Sequence, residues 1–186
     1  MNKKQSLSAI ANEIEACTVC QEDSIGKAVP GEGNPDASMV FVGEAPGKLE
    51  AQTGKPFVGR SGQFLRKTMQ EVGIKESEVF ITSVVKFLPQ KGTPTPAQIK
   101  HAKQYSRQQI DIIDPKVVVL LGRVACEGVL DEKISVAKEH GSFIKKDGRT
   151  YFVSFHPAAA IRFQNIREMF AQDFKKMVAK REELGI

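Results

Sequence analysis

Residues 39–47 read MVFVGEAPG, an apolar run that leads directly into a turn rich in glycine and proline. Such a short run, bounded by turn residues, is typical of a strand buried on both faces of a parallel sheet. Three more runs have the same character: residues 79–85 (VFITSVV), 117–121 (VVVLL) and 151–155 (YFVSF). The sequence therefore predicts a central, mostly parallel four-stranded sheet.

Helical periodicity separates these runs, with apolar side chains recurring every three or four residues. Ser61 is suited to cap the second of these helices. Helices that alternate with parallel strands cover both faces of the sheet, so the predicted fold class is α/β with three α/β/α layers. We expect all 186 residues, 1–186, to form a single domain. The predicted helices cover residues 6–16, 61–72, 97–113 and roughly 163–177.

Composition excludes several classes of protein. With 186 residues of which 41% are hydrophobic, the chain can bury roughly 70% of its unfolded surface without disulfide or metal support. Three cysteines, and no charged-then-apolar leader, favour a reducing, cytoplasmic location. The longest aliphatic run, residues 117–121, is far shorter than the ~20 residues of a spanning helix, so we expect no membrane partner.

The charge is unevenly distributed along the chain. The formal net charge is +5, and residues 79–110 contain no Asp or Glu. Such a stretch can follow a line of phosphates, or it can be a solvated helix face beside a basic loop. Its basic residues are Lys86, Lys91, Lys100, Lys103 and Arg107.

Ligands of α/β sheets bind beyond the carboxyl ends of the strands, so the residues that follow each strand are the candidates for a site. Here they are GEAPG (43–47) with GKPFVGRSG (54–62), then Lys86, then Gly122 and Arg123, and finally HPAAAIR (156–162). Each segment alone has an ordinary structural explanation as a turn or a helix start. The occurrence of all these segments in this order is a much more specific signal than any one of them.

In this order, GEAPG, GKPFVGRSG, the basic VVK turn, PKVVVLLGR and HPAAAIR closely resemble the uracil-DNA glycosylase superfamily. The nearest branch is the family 4 enzymes, which normally carry an iron–sulfur cluster. The resemblance extends from Cys17 to about Arg162. A dinucleotide-binding protein does not fit, because no G-x-G-x-x-G opens the first helix.

The resemblance implies a role for each motif. Uracil flipped out of DNA would stack on Phe57, and His156 would donate a hydrogen bond to uracil O2 as it becomes anionic. Glu44 would position the attacking water or stabilise the oxocarbenium ion, with Glu50 as a second acid. Further substrate contacts are expected from Gly43, Ala45, Pro46, Gly47 and Ser83. DNA contacts are expected from Arg60, Ser61, Lys86, Lys91, Arg123 and Arg162.

Only two of the four cysteines that hold the cluster in the family have a counterpart in this sequence. Family 4 enzymes use a Cys-x-x-Cys pair and two later cysteines. Cys17 and Cys20 match the pair, but the later positions are occupied by Phe87 and Ala102. Two thiolates do not complete a four-ligand site, so we expect neither an iron–sulfur cluster nor another metal. The pair is then structural or vestigial, with Phe87 filling the vacated space.

The base-recognition position also departs from the family. Ser83 stands where the family usually has Asn, and one hydroxyl cannot replace both groups of an amide. The expected function is a monomeric uracil-DNA glycosylase of base excision repair, acting on uracil-containing DNA without a cofactor. Two alternatives remain: a DNA-binding relative with impaired catalysis, or a glycosylase for another deaminated base. A small-molecule nucleotide hydrolase fits less well.

Overall fold

The computed structural model describes residues 2–186, except for the side chain of Arg181. The strands are β1 (Ser24–Ile25), β2 (Glu32–Gly33), β3 (Met39–Gly43), β4 (Val79–Ser83), β5 (Leu88–Pro89), β6 (Val117–Leu121), β7 (Phe143–Lys146) and β8 (Arg149–Ser154). The helices are α1 (Lys3–Ala16), α2 (Thr18–Gln21), α3 (Lys48–Thr53), α4 (Arg60–Glu71), α5 (Pro96–Ile113), α6 (Arg123–Leu130), α7 (Val136–Glu139), α8 (Pro157–Arg162), α9 (Gln164–Ala179) and α10 (Arg181–Leu184).

The central sheet has the strand order β2-β4-β3-β6-β8-β7. The four predicted strands are its four inner members, and they pair in parallel from β4 through β3 and β6 to β8. The α/β class and the mostly parallel sheet are therefore confirmed. Because the strands run in one direction, their carboxyl ends lie along a single edge, which is where polar residues follow each of them.

The predicted number of strands was wrong, because the sheet has six rather than four. β2 and β7 add antiparallel edges to β4 and β8. β2 is only two residues long and has no apolar residue, while β7 ends in two lysines. The β7–β8 turn is Asp147–Gly148, with φ of 50° and 75°. This Asp-Gly pair is a hairpin signal that the sequence did carry.

Two hydrophobic cores lie on opposite faces of the sheet. Along β3, Val40 and Val42 belong to the core beneath α1, α5 and α6. Met39 and Phe41 belong to the other core, with α4 and α9. The alternation follows from the period of two along a strand and confirms the three-layer arrangement.

The long helices begin and end close to their predicted positions. Asn2 and Gln5 form a capping box at the start of α1, and Thr95 and Gln98 form one at the start of α5. The predicted cap at Ser61 was wrong. Gly59 is the N-cap of α4, and Ser61 is its second residue. No helix among residues 2–186 is both long and apolar enough to cross a bilayer.

Gly62 provides a test of how α4 packs against the loop before it. A Cβ at Gly62 would lie 2.0 Å from the carbonyl carbon of Phe57. Alanine is otherwise favoured over glycine inside a helix by ~1 kcal/mol. We nevertheless expect Gly62→Ala to lower the free energy of unfolding by roughly 1–3 kcal/mol, since a packed backbone must move. Urea unfolding monitored by circular dichroism measures this, and the exposed Lys67→Ala on the same helix is the control. Stabilisation by Gly62→Ala would contradict the contact.

Candidate active site

One cavity of about 420 Å³ lies at the carboxyl edge of the sheet. Glu44, Phe57, Ser83 and His156 all line it. They come from segments that follow or end β3, β4 and β8, so the parallel topology brings together residues that are far apart in sequence. Five more of the predicted residues line the same cavity: Ala45, Pro46, Gly47, Glu50 and Ser61.

Sequence reasoning missed several residues of this cavity. Val29 and Pro56 contribute apolar wall, and Leu88 and Gly92 come from the loop after β4. They carry no catalytic chemistry. Pro56 lies within the GKPFVGRSG segment, but none of the four was predicted to contact the substrate. A larger depression of about 710 Å³ lies elsewhere, beside Lys27, and it contains none of the predicted catalytic residues.

Phe57 has an unusual backbone conformation. Its φ is +51°, a left-handed value that is uncommon for a bulky residue, and its side chain is buried. The ring centroid lies 6.2 Å from that of His156, with an interplanar angle of 35°. A Cβ at Gly43 would lie 2.4 Å from Cζ of this ring, so only glycine leaves room there. The arrangement holds a flat aromatic face against the cavity.

Glu50 holds the loop that carries Phe57. Its Oε1 accepts hydrogen bonds from the backbone N–H groups of Val58 at 2.9 Å and Gly59 at 2.8 Å. A Cβ at Gly47 would lie only 2.8 Å from its Oε2, so the other glycine-rich turn also approaches this carboxylate closely. Glu50 lines the cavity, and its role as a second catalytic acid stays a prediction, but these contacts give it a structural role as well. Charge-assisted bonds to two amides make it a positioning residue.

His156 is the N-cap of α8, and its Nδ1 accepts a hydrogen bond from the Ala158 N–H at 3.2 Å. Burial lowers the pKa of His156 to about 4. The ring is therefore neutral at pH 7, and with Nδ1 acting as acceptor we assign the proton to Nε2. A neutral imidazole of this tautomer is a hydrogen-bond donor, which suits it to an oxygen on which negative charge develops.

Glu44 is the half-buried acid at the end of β3. Burial raises the pKa of its carboxyl, and the nearby charge of Arg123 opposes the increase. Arg123 also donates to Glu127 Oε1 at 2.8 Å. Its side chain is also exposed, so the prediction that Arg123 contacts DNA stays a prediction. A carboxylate with a raised pKa is a better proton acceptor than an exposed one.

Lys86 does not lie where a phosphate can reach it. Its side chain is fully buried, and Nζ donates to Thr82 Oγ1 at 2.6 Å and Gln109 Oε1 at 2.9 Å. Burial lowers the pKa of Lys86 to about 7, against the opposing effect of Cys20. The prediction of a DNA contact here was wrong. A lysine that follows a strand reaches solvent or the core depending on tertiary packing, which the sequence pattern did not reveal.

Residues 79–110 contain no acid, but the fold brings an acid from another segment next to them. Lys103 and Arg107 both pair with Asp131, which comes from the end of α6. Three other predicted DNA contacts, Arg60, Lys91 and Arg162, are exposed. Arg60 and Lys91 adjoin Ser61 and Gly92 of the cavity in sequence. These exposed residues are the better candidates for phosphate contacts.

The cysteine pair has a third partner. Cys17 Sγ lies 3.2 Å from His101 Nε2, and one donor atom from each of Cys17, Cys20 and His101 lies within 4.8 Å of the other two. Although burial opposes it, hydrogen bonds from Tyr105, His101 and the Cys20 amide lower the pKa of Cys17 to about 6. Sequence reasoning missed His101, although it directly precedes Ala102, which aligns with a family cluster position.

These residues do not fit an iron–sulfur cluster. Phe87 and Ala102, which the resemblance places at the two later cluster positions, are buried in one hydrophobic core with Cys20. The remaining cysteine, Cys126, is buried on α6. Four thiolate ligands are therefore not brought together.

The fold is that of an α/β enzyme whose cavity, at the carboxyl edge of the sheet, is lined by an aromatic ring and polar side chains. The uracil DNA glycosylase superfamily model matches residues 30–180, and the chain belongs to this superfamily. A type-4 uracil-DNA glycosylase of Sulfurisphaera tokodaii is 37% identical, with 92% of this chain and 83% of that protein covered. Another from Thermotoga maritima is 35% identical over 94% of each chain. A third, from Archaeoglobus fulgidus, is 34% identical over 93% and 92%.

The depressed pKa of His156 makes the stability of the protein depend on pH. The unfolded chain binds a proton on this residue below pH ~6.5, whereas the folded protein does so only near its pKa of about 4. Acidification through this window therefore favours unfolding. We expect the free energy of unfolding to fall more steeply from pH 7 to pH 5 in the wild type than in His156→Asn, which keeps a capping acceptor. Urea titrations at both pH values measure the two slopes, and equal slopes would contradict a buried neutral imidazole.

Proposed function

We propose that this protein is a uracil-DNA glycosylase of base excision repair, which hydrolyses the N-glycosidic bond of a uracil flipped out of DNA. The observation that carries the proposal is that Phe57, neutral His156 and half-buried Glu44 line one cavity. Its relatives named type-4 uracil-DNA glycosylases support the same substrate. The proposed reaction uses no iron–sulfur cluster, because only two of its cysteine ligands are present.

His156 acts on the leaving base. When the bond breaks, its electron pair moves to the uracil ring and negative charge develops on O2. The Nε2 proton of the neutral imidazole donates a hydrogen bond to this oxygen. Because the imidazole is uncharged and held at Nδ1 by the Ala158 amide, it needs little reorganisation as the charge develops.

Glu44 acts on the sugar side. The sugar becomes an oxocarbenium ion, and a water molecule adds to its anomeric carbon and loses a proton. Glu44 orients this water and stabilises the positive charge as a carboxylate. Burial raises the pKa of Glu44 and improves it as an acceptor of the proton that the water loses, and the charge of Arg123 opposes this increase.

Phe57 and Ser83 bind the base itself. Phe57 offers the stacking face, and Gly43 allows the ring to lie against the end of β3. Ser83 lines the cavity at the end of β4 and presents one hydroxyl to the base edge. A single hydroxyl discriminates less strongly than an amide, which keeps a second candidate: a glycosylase that also accepts another deaminated base such as hypoxanthine.

The proposal extends to the setting of the reaction. We place it in the cytoplasm, on the basis of the low cysteine count, and assign it to a monomer that acts through one domain. The partner is uracil-containing DNA, bound through the exposed cations around the cavity.

The direct test is release of uracil from oligonucleotides that carry it opposite guanine, opposite adenine or unpaired. Abasic products are revealed by alkaline strand cleavage, and a hypoxanthine substrate tests the second candidate. We expect His156→Ala to reduce the single-turnover rate by about 10²-fold or more, as removal of an oxyanion donor does. His140→Gln, which changes a histidine outside the cavity, is the matched control. An unchanged rate in His156→Ala would remove this residue from the mechanism, and a wild type inactive on every substrate would support the DNA-binding alternative.

Salt dependence tests the DNA-binding surface. Each lysine or arginine that neutralises a phosphate of duplex DNA contributes about −0.9 to the slope of log K against log salt concentration. We expect Arg60→Ala and Lys91→Ala each to make the slope about 0.9 less negative. The control is Lys103→Ala, because the Lys103 ammonium already pairs with Asp131. Fluorescence anisotropy at several salt concentrations gives the slopes. A slope altered only in the control would place DNA on the opposite side of the molecule.

A further inference from the structure

We propose that Cys17, Cys20 and His101 bind a single zinc ion, which joins the N-terminal segment to α5. The expectation of no metal counted thiolates alone, and the structure adds an imidazole to them. This ion differs from the iron–sulfur cluster of the family in having an imidazole ligand, His101, and in being a single metal ion. It lies outside the catalytic cavity and takes no part in the proposed reaction.

The donor atoms have the spacing of a zinc site. With Zn–S near 2.3 Å and Zn–N near 2.0 Å, a tetrahedral ion holds its sulfur and nitrogen ligands about 3.6 Å apart and two sulfurs about 3.8 Å apart. Cys17 Sγ and His101 Nε2 are 3.2 Å apart, and all three donors lie within 4.8 Å of one another. To admit the ion, the Cys17–His101 pair must open by a few tenths of an ångström, and the Cys20 sulfur must move by no more than about 1 Å.

The ligand types select zinc among the common divalent ions. Two thiolates and one imidazole are soft or borderline donors, which zinc prefers and which magnesium and calcium do not. Cys17 and His101 are only half-buried, so solvent can supply a fourth ligand. Three protein ligands and a water complete a tetrahedral site.

The surroundings orient the ligands. The Cys20 N–H donates to Cys17 Sγ at 3.4 Å, and the Tyr105 hydroxyl also hydrogen-bonds to this sulfur. Outer hydrogen bonds of this kind fix ligands before the metal arrives. Phe87 and Ala102 pack in the same hydrophobic core as Cys20, and neither side chain offers a ligand for a cluster.

Binding would join segments that are distant in sequence. Cys17 is the N-cap of the short helix α2, and Cys20 lies within that helix. His101 lies in the first half of α5. Since only the folded chain brings all three together, zinc should stabilise the folded state by mass action.

The experiment uses the full-length protein, stripped with a chelator and kept reduced with a phosphine. Zinc is then titrated and counted by elemental analysis after gel filtration. We expect one equivalent in the wild type, a rise in the thermal midpoint with added zinc, and visible tetrahedral bands when cobalt replaces it. Loss of an outer-shell partner weakens metal binding by about 10–100-fold. We expect His101→Gln and Cys17→Ser, which each remove a direct ligand, to weaken zinc binding by more than this. The control Cys126→Ala removes a buried thiol outside the group and should still bind one equivalent.

Two results would overturn the proposal. One is a reduced wild type that retains no zinc and gains no thermal stability from it. The other is a His101→Gln variant that binds zinc as tightly as the wild type. Uracil release is measured separately on the chelated protein, so failure of the zinc site is distinguishable from failure of the proposed glycosylase function.

Discussion

Three of the four inner strands of the sheet have no face that reaches water. Every residue of β3, β4 and β6 is buried, so helices must cover both sides. Polar chemistry is therefore excluded from most of each strand and concentrated where the chain leaves the sheet. Because the four inner strands are parallel, these exits share one edge, and Glu44, Ser83 and His156 meet there. The position of the site is a consequence of how the sheet is buried.

The loop beside the cavity depends on the carboxylate of Glu50. It binds the amides of Val58 and Gly59 and thereby holds the loop in which Phe57 adopts a left-handed conformation. Such a conformation costs of order 1–3 kcal/mol and persists only where the surroundings enforce it. Gly43 leaves the space that the ring occupies. The loop that presents the Phe57 ring is thus held by the carboxylate of Glu50.

The core beside the cysteine pair is apolar on one side. Phe87 and Ala102 pack there, and buried Lys86 makes hydrogen bonds to Thr82 and Gln109. A buried ammonium without such acceptors would be strongly disfavoured.

The sequence by itself determined the four inner strands, the long helices and most residues of the cavity, because apolar periodicity and turn residues act over a few positions along the chain. It did not determine the short edge strands, the anchoring role of Glu50 or the burial of Lys86. Nor did it show that Cys17 and His101 lie side by side although 84 positions separate them. Those features depend on which distant segments pack together. Only the tertiary structure decides whether a charged or ligating side chain faces solvent, a backbone amide or another side chain.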